Sequence, residues 1–208
     1  MFTLTTLLTF IGASILLILA PGPDILFVIT QGISNGRKAG IFTALGLAFG
    51  NSIHTIGAAL GVSIIFKTSP IAFTAFKILG AGYLFYLAYK AIKHRNDKVH
   101  LNKSAQINKR KLFAKGFVMN ILNPKVALFF LAFLPQFANT EAGSVPLQMI
   151  TLGVIFIVLV IIIFGSFGYF AGYIGDWLLK KPNYSKYLNI ASAIIFIGIG
   201  INLILVHQ

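Results

Sequence analysis

Two ionisable residues stand inside long apolar stretches of this sequence, each next to a proline. Asp24 follows Pro23 in ILAPGPDILFVI, and Lys125 follows Pro124 in ILNPKVALFFLA. An ionised side chain in hydrocarbon costs at least about 2.5–3.5 kcal/mol, so such residues usually pair or mark a polar pathway. Two uses stay open. The two residues neutralise each other, or Asp24 binds an ammonium group or a proton while Lys125 binds a carboxylate.

The prolines predict a helix break in each stretch. Proline lacks an N–H group and costs about 3 kcal/mol inside a helix. In lipid, the freed carbonyls need other partners, so a break must face protein or a wet cavity, and the new helix N-terminus can bind an anion. A simple kink that shapes packing is the alternative. The predicted substrate-binding residues are Pro21, Gly22, Pro23, Asp24, Asn123, Pro124 and Lys125.

Further polar candidates lie in other apolar stretches. His54 and Asn51 belong to GIFTALGLAFGNSIHTIGAALG, whose glycines at four-residue spacing predict close approach of another helix. His54 is therefore a candidate proton relay together with Asp24, and a hydrogen-bonded structural histidine is the alternative. Asn51 and Tyr83 are secondary candidates for the lining of a cavity.

The composition predicts a membrane protein. Of the 208 residues, 57% are hydrophobic and only 10% are charged, whereas a soluble domain is about 25% charged. A helix needs about 20 mostly apolar residues to cross the hydrocarbon. Segments of this kind occur at residues 3–29, 40–66, 70–92, 116–138, 146–173 and 187–206. The predicted fold is therefore all-α, a polytopic membrane protein with six transmembrane helices in a single domain, 1–208.

Lysine and arginine residues are concentrated in alternate connections between these spans. The three clusters contain Arg37 and Lys38; Lys90, Lys93, Arg95, Lys98, Lys103, Lys109, Arg110, Lys111 and Lys115; and Lys180, Lys181 and Lys186. Such loops stay in the cytoplasm, so both termini are predicted to be extracytoplasmic. The segment 94–114 is predicted as a basic cytoplasmic loop, and contact with anionic lipid is its alternative role. Nucleic acid is not expected as a partner, because it needs a basic face on a soluble domain.

The two proline-containing stretches also match each other in sequence. Ile18, Leu19 and Pro21 align with Ile121, Leu122 and Pro124. Each half, 1–93 and 115–208, contains three spans, so the second half must enter the membrane from the opposite face. The sequence thus predicts two inverted-topology three-helix repeats, a common plan of secondary transporters.

Other function classes fit the sequence less well. A metal-cation exporter, kept as the alternative function, needs clustered carboxylate, histidine or cysteine ligands. An intramembrane enzyme needs a nucleophile or metal constellation, and Ser52 and His54 point to different faces of a helix. Because no GxxxxGK[ST] motif is present, a gradient is the simpler energy source. We therefore predict no enzymatic activity, no metal site and no cofactor.

Several motifs appear in a specific order along nearly the whole chain. They are Pro21 to Asp24, Gly36 to Gly40, Gly46, Gly50, His54, Gly80 to Leu84 and Asn120 to Lys125. Together they resemble the LysE/RhtB family of amino-acid exporters. The resemblance implies an inner-membrane protein, surrounded by lipid, that exports small amino acids in exchange for protons; homo-oligomer formation stays open. Homoserine, threonine, leucine and basic amino acids are the substrates implied, and the single acidic residue within a span, Asp24, favours a neutral one.

Overall fold

The computed structural model of the protein describes residues 2–20, 22–68, 70–93, 95, 108–171, 173 and 184–205. The regular structure of these residues is helical, as the composition predicts. Within them, Arg37–Gly61 and Val145–Tyr169 are each long and apolar enough to cross a membrane. The number of candidate spans rises from 2 to 4 if each of two bent helix pairs is one span. The six-span organisation stays a prediction.

Eight α-helices lie within the described residues. They are α1 (Leu4–Leu19), α2 (Pro23–Asn35), α3 (Arg37–Thr68), α4 (Pro70–Lys93), α5 (Lys109–Ile121), α6 (Pro124–Leu128), α7 (Val145–Tyr169) and α8 (Tyr184–Leu205). After α6 the chain continues as a π-helical turn, Phe129–Phe133, and as 3-10 turns at Leu134–Phe137 and Thr140–Ala142. A π-helical turn inside a longer helix is uncommon and often lies near a functional site.

Both predicted helix breaks are present. α1 ends at Leu19 and α2 begins at Pro23, with 60° between the two axes. α5 ends at Ile121 and α6 begins at Pro124, and here the bend is 52°. Proline is well placed at the first position of a helix, because an N–H group there has no partner within the helix. Pro21 lies outside the described residues.

Two helix boundaries differ from the sequence prediction by more than four residues. α2 continues to Asn35, beyond the predicted span 3–29, and α5 begins at Lys109, inside the predicted loop 94–114. The start of α5 is favoured by the high helix propensity of its lysine and arginine residues and by Asn108, whose side chain accepts a hydrogen bond from the first turn. Residues 96–107 of the predicted loop lie outside the described part of the chain.

The two bent segments run antiparallel to each other. Near the middle of α1, the ring of Phe10 lies 5.2 Å from the ring of Phe137, which follows α6. Near the end of α1, the carbonyl oxygen of Leu17 lies 3.2 Å from the Nζ atom of Lys125 at the start of α6. Residue numbers therefore rise along one segment and fall along the other.

The central helix is α3, which packs against α5 on one side and α7 on another. A Cβ atom on Gly46 would contact the carbonyl oxygen of Phe113 in α5, and one on Gly40 would lie 2.6 Å from the Cα atom of Gly168 in α7. Small residues permit this close approach, which drives helix association where lipid removes the hydrophobic effect between helices. Glycine packing thus holds α3 between its neighbours.

A cluster of phenylalanine rings joins the bent segments to α7. The ring of Phe129 lies 5.0 Å from that of Phe133 and 5.1 Å from that of Phe156 in α7. Phe10 and Phe137 extend the cluster toward the start of α1. Each aromatic pair contributes about 0.5–1.5 kcal/mol beyond its buried area. The cluster therefore fixes the second bent segment against α7.

The outer faces of α3 and α7 expose apolar side chains. These are Phe49, Ile53, Ile56 and Leu60 in α3, and Leu147, Ile150, Val154, Val158 and Ile162 in α7. Their spacing places them on one face of each helix, away from the core. Faces of this size and composition fit the hydrocarbon of a bilayer.

The substitution Gly46→Ala should destabilise the protein, because its methyl group would collide with the Phe113 carbonyl. Gly57→Ala is the matched control, since Gly57 lies in the same helix and, apart from the adjacent backbone of that helix, no described atom lies within 4 Å of its Cβ position. We expect thermal unfolding in detergent to show a Tm lower by about 5 °C or more for Gly46→Ala and an unchanged or higher Tm for Gly57→Ala. Equal Tm values for both variants would contradict the packing of α3 on α5.

Candidate functional site

A small cavity lies where the bent segments meet α3 and α7. Its polar lining consists of Asp24, Asn51, Asn120 and Lys125, and its apolar lining of Leu17, Ile18, Val126, Phe156, Val160 and Phe164. In this conformation it has room for about one water molecule. The cavity must therefore widen before it can hold a larger ligand.

Asp24 lies in the first turn of α2 with 2% of its surface exposed. Its Oδ2 atom accepts a hydrogen bond from Nδ2 of Asn120 at 3.4 Å. Its Oδ1 atom is buried and has no hydrogen-bond partner in the described structure. The carboxyl group that the sequence places inside an apolar stretch is thus hydrogen-bonded through one oxygen, with the Asn123 side chain and the Lys125 ammonium group nearby.

Two amide oxygens at the cavity are also buried without a partner among the described residues. They belong to Asn51 and Asn120. The amide orientation of Asn51 is fixed, because its Nδ2 atom donates to the carbonyls of Leu47 at 3.0 Å and Ala48 at 3.2 Å. A buried polar atom without a partner costs about 1–3 kcal/mol. These oxygens therefore make the cavity rich in unpaired acceptors, which suits a group that brings several hydrogen-bond donors.

Lys125 binds the end of α1. Its Nζ atom donates to the carbonyl oxygens of Leu17 at 3.2 Å and Ala20 at 3.1 Å. In a continuous helix the Leu17 carbonyl would accept a hydrogen bond from residue 21, which is a proline without an N–H group. The ammonium group replaces that donor and offsets the negative end of the α1 dipole. One of its N–H groups is left for a ligand.

His54 makes the corresponding contact at the second break. Its Nε2 atom lies 3.1 Å from the carbonyl oxygen of Asn120, which also accepts from the N–H group of Asn123 at 2.9 Å. Because a carbonyl only accepts, Nε2 carries the hydrogen in this contact. In a continuous helix, the Asn120 carbonyl would accept a hydrogen bond from the N–H group of residue 124, which is a proline and has none. Asn120 and Leu17 hold equivalent positions in the aligned stretches, so both proline-freed carbonyls are bound by a side chain from the opposite half.

The other predicted residues are placed as follows. Gly22 caps α2 and lies against Lys125, since a Cβ atom there would be 3.3 Å from Nζ. Asn123 caps α6 by accepting from the N–H group of Lys125 at 3.0 Å, while its own Nδ2 atom is buried without a partner in the described structure. Pro23 is exposed at the start of α2. The side chains of Pro124 and Tyr83 lie outside the described structure.

Two parts of the site are missing from the sequence prediction. The apolar wall on α7, formed by Phe156, Val160 and Phe164, cannot be recognised in the sequence, because such residues are common in every predicted span. Asn120 does carry a signal, because the residue four positions before a helix-breaking proline supplies the freed carbonyl. Counting back from Pro124 identifies it.

Comparisons with known proteins agree with this picture of a membrane protein. The chain is 32% identical over 205 residues to the uncharacterized membrane protein YrhP of Bacillus subtilis (strain 168), with 94% of this chain and 97% of that protein covered. It is 29% identical over 206 residues to a leucine efflux protein of Enterobacter sp. (strain 638), with 96% and 95% covered. A leucine efflux protein of Salmonella choleraesuis (strain SC-B67) is 31% identical over 135 residues, with 64% of each chain covered.

No solved structure gives a significant match to this chain. A protein-family model matches residues 15–207, which run from the end of α1 through α8. The match includes both helix breaks and every residue that lines the cavity. Because residues 15–207 match the LysE type translocators, the protein belongs to that family.

Proposed function

We propose that the protein exports neutral amino acids across the cell membrane in exchange for protons. The observation that carries this proposal is the group of buried, unpaired oxygen atoms on Asp24, Asn51 and Asn120. An amino acid brings an ammonium group with three N–H donors, which these acceptors match. Membership of a translocator family and the two similar leucine efflux proteins support amino-acid export.

The carboxylate of the substrate binds the donors on the other side of the crossing. Lys125 has one N–H group left after it binds the end of α1. The Nδ2 atom of Asn123 is a second buried donor, and the Asn123 side chain interacts with Asp24. Acceptors for an ammonium group and donors for a carboxylate thus stand side by side, as an amino-acid backbone requires.

Asp24 couples transport to protons by competition. Its carboxylate binds either the substrate ammonium group or a proton, so export of one permits return of the other. Asp24 is the acidic residue among those that line the cavity. A second positive charge on the substrate finds no further carboxylate there, which favours a neutral amino acid over a basic one.

The two halves of the protein rock about this cavity in the inner membrane. The antiparallel bent segments support the inverted-repeat plan with six spans. The contacts of Gly46 with Phe113 and of Gly50 with Asn120 indicate that α3 and α5 run parallel, so their basic starts lie at the same end of the molecule. This shared end fits the cytoplasmic face, which leaves both termini outside.

The substitution Asp24→Asn should abolish export, because the amide keeps the shape of the side chain but cannot exchange a proton. Glu141→Gln is the control, since Glu141 is an exposed acid in a connection outside the cavity. We expect proteoliposomes with an imposed pH gradient to transport labelled leucine with wild-type protein and Glu141→Gln, and not with Asp24→Asn. Transport by Asp24→Asn at the wild-type rate would contradict the role of this carboxyl group.

We expect His54 to position the second break rather than to carry protons, because its Nε2–H group binds the Asn120 carbonyl and its ring does not line the cavity. His54→Gln keeps a donor for this carbonyl and should retain transport with the wild-type dependence on pH. His54→Leu keeps none and should lose most transport. A glutamine variant that transports leucine but no longer responds to the pH gradient would show that His54 is a proton relay.

The substitution Lys125→Met should weaken leucine binding about tenfold or more, because it removes a charge-assisted hydrogen bond to the carboxylate. Leucinol, which has the ammonium group and no carboxylate, is the control ligand. We expect competition assays to show little change in leucinol affinity when Lys125 is replaced. An equal loss for leucine and leucinol would mean that Lys125 acts only as the cap of α1.

A further inference from the structure

The apolar lining of the cavity comes mostly from helices that contribute no polar side chain to it: Leu17 and Ile18 from α1, and Phe156, Val160 and Phe164 from α7. The polar side chains belong to α2, α3, α5 and α6, whereas α7 contributes only apolar ones. Phe156, Val160 and Phe164 are four residues apart and share one face of α7. Their exposed fractions are 2%, 2% and 4%. An occupant bound by its polar end at the helix breaks would therefore contact α7 with its apolar end.

This wall is held in place at both ends. On one side of it, a Cβ atom on Gly153 would collide with the side chain of Thr55 in α3. On the other side, Gly168 of α7 contacts Gly40 of α3. In this conformation the segment between these contacts therefore lies at a defined distance from Asn51, which also lies on α3. A defined distance between a polar anchor and an apolar wall is what selection by side-chain size requires.

We propose that the α7 wall is the subsite that reads the substrate side chain, and that Val160, at its centre, selects aliphatic amino acids. This inference rests on the proposed function, because it needs the ammonium group of the substrate to be bound by Asp24, Asn51 and Asn120. Val160 is the smallest residue of the wall and lies between two phenylalanines. The wall offers no side-chain partner to the hydroxyl group of threonine or homoserine. Leucine-like side chains are therefore preferred, by about tenfold to a hundredfold over hydroxylated ones of similar size.

The substitution Val160→Thr tests this subsite with a change of polarity at constant shape. We expect the preference for leucine over threonine in the proteoliposome assay to fall about tenfold, mainly through a higher KM for leucine. Val158→Thr is the matched control, because Val158 lies on the same helix with 48% of its surface exposed. It should keep the wild-type preference.

A second variant, Val160→Phe, tests the size of the subsite. The added phenyl ring fills space that the leucine side chain would occupy. It should reduce leucine transport at least tenfold and leave alanine transport within about twofold of the wild-type rate. Competition of leucine, threonine and lysine with labelled leucine in the wild-type protein gives a measurement that needs no variant. Equal competition by leucine and threonine would overturn the subsite even if both Val160 variants failed to fold.

The outcomes separate this inference from the function on which it rests. If the wild-type protein transports no amino acid, the proposed function fails. If it transports leucine and both Val160 variants keep the wild-type preferences for leucine, threonine and alanine, the function stands and the α7 subsite is wrong.

Discussion

A carbonyl group freed inside a membrane must find a hydrogen-bond donor in the protein, because the hydrocarbon contains no water to supply one. Prolines free the carbonyls of Leu17 and Asn120 at equivalent positions of the two bent segments. Lys125 binds the first and His54 the second. Each of these donors comes from the opposite half of the chain. The Asn120 carbonyl also accepts from the N–H group of Asn123, whereas the described donor to the Leu17 carbonyl is Lys125 alone. The need for such donors determines where the segments cross, and hence where the polar cavity forms.

The crossing of the two bent segments also determines which polar side chains line the cavity. The start of α2 contributes Asp24 and the end of α5 contributes Asn120, while α3 is close enough through its glycines to add Asn51. Their unpaired oxygens are a cost to the empty protein that a ligand with several N–H groups removes. A transporter must bind its substrate weakly enough to release it, and part of the binding free energy here offsets that cost. The surplus of acceptors therefore agrees with a site that is occupied transiently.

The sequence was sufficient to predict the two helix breaks but not the apolar wall on α7. Proline next to an ionisable residue in an apolar stretch predicts a break against protein, and the structure has breaks at Pro23 and Pro124. The contact of Lys125 with α1 was not predictable, because it depends on how two distant segments cross. Val160 could not be distinguished from its apolar neighbours, since burial against a cavity or exposure to lipid leaves no mark on residue type. Helix ends differ from the prediction where a helix continues from apolar into polar sequence, as at Asn35 and Lys109.

The central claim is that the two bent segments cross antiparallel, and disulfide formation in native membranes tests it directly. The chain has no cysteine, so engineered pairs react without background. Phe10 and Phe137, with ring centroids 5.2 Å apart, are predicted to cross-link as a cysteine pair under mild oxidation. Cysteines at Phe10 and Phe113, which lies near the opposite end of the second segment, are predicted not to. Cross-linking of the second pair and not the first would contradict the crossing and the cavity built on it.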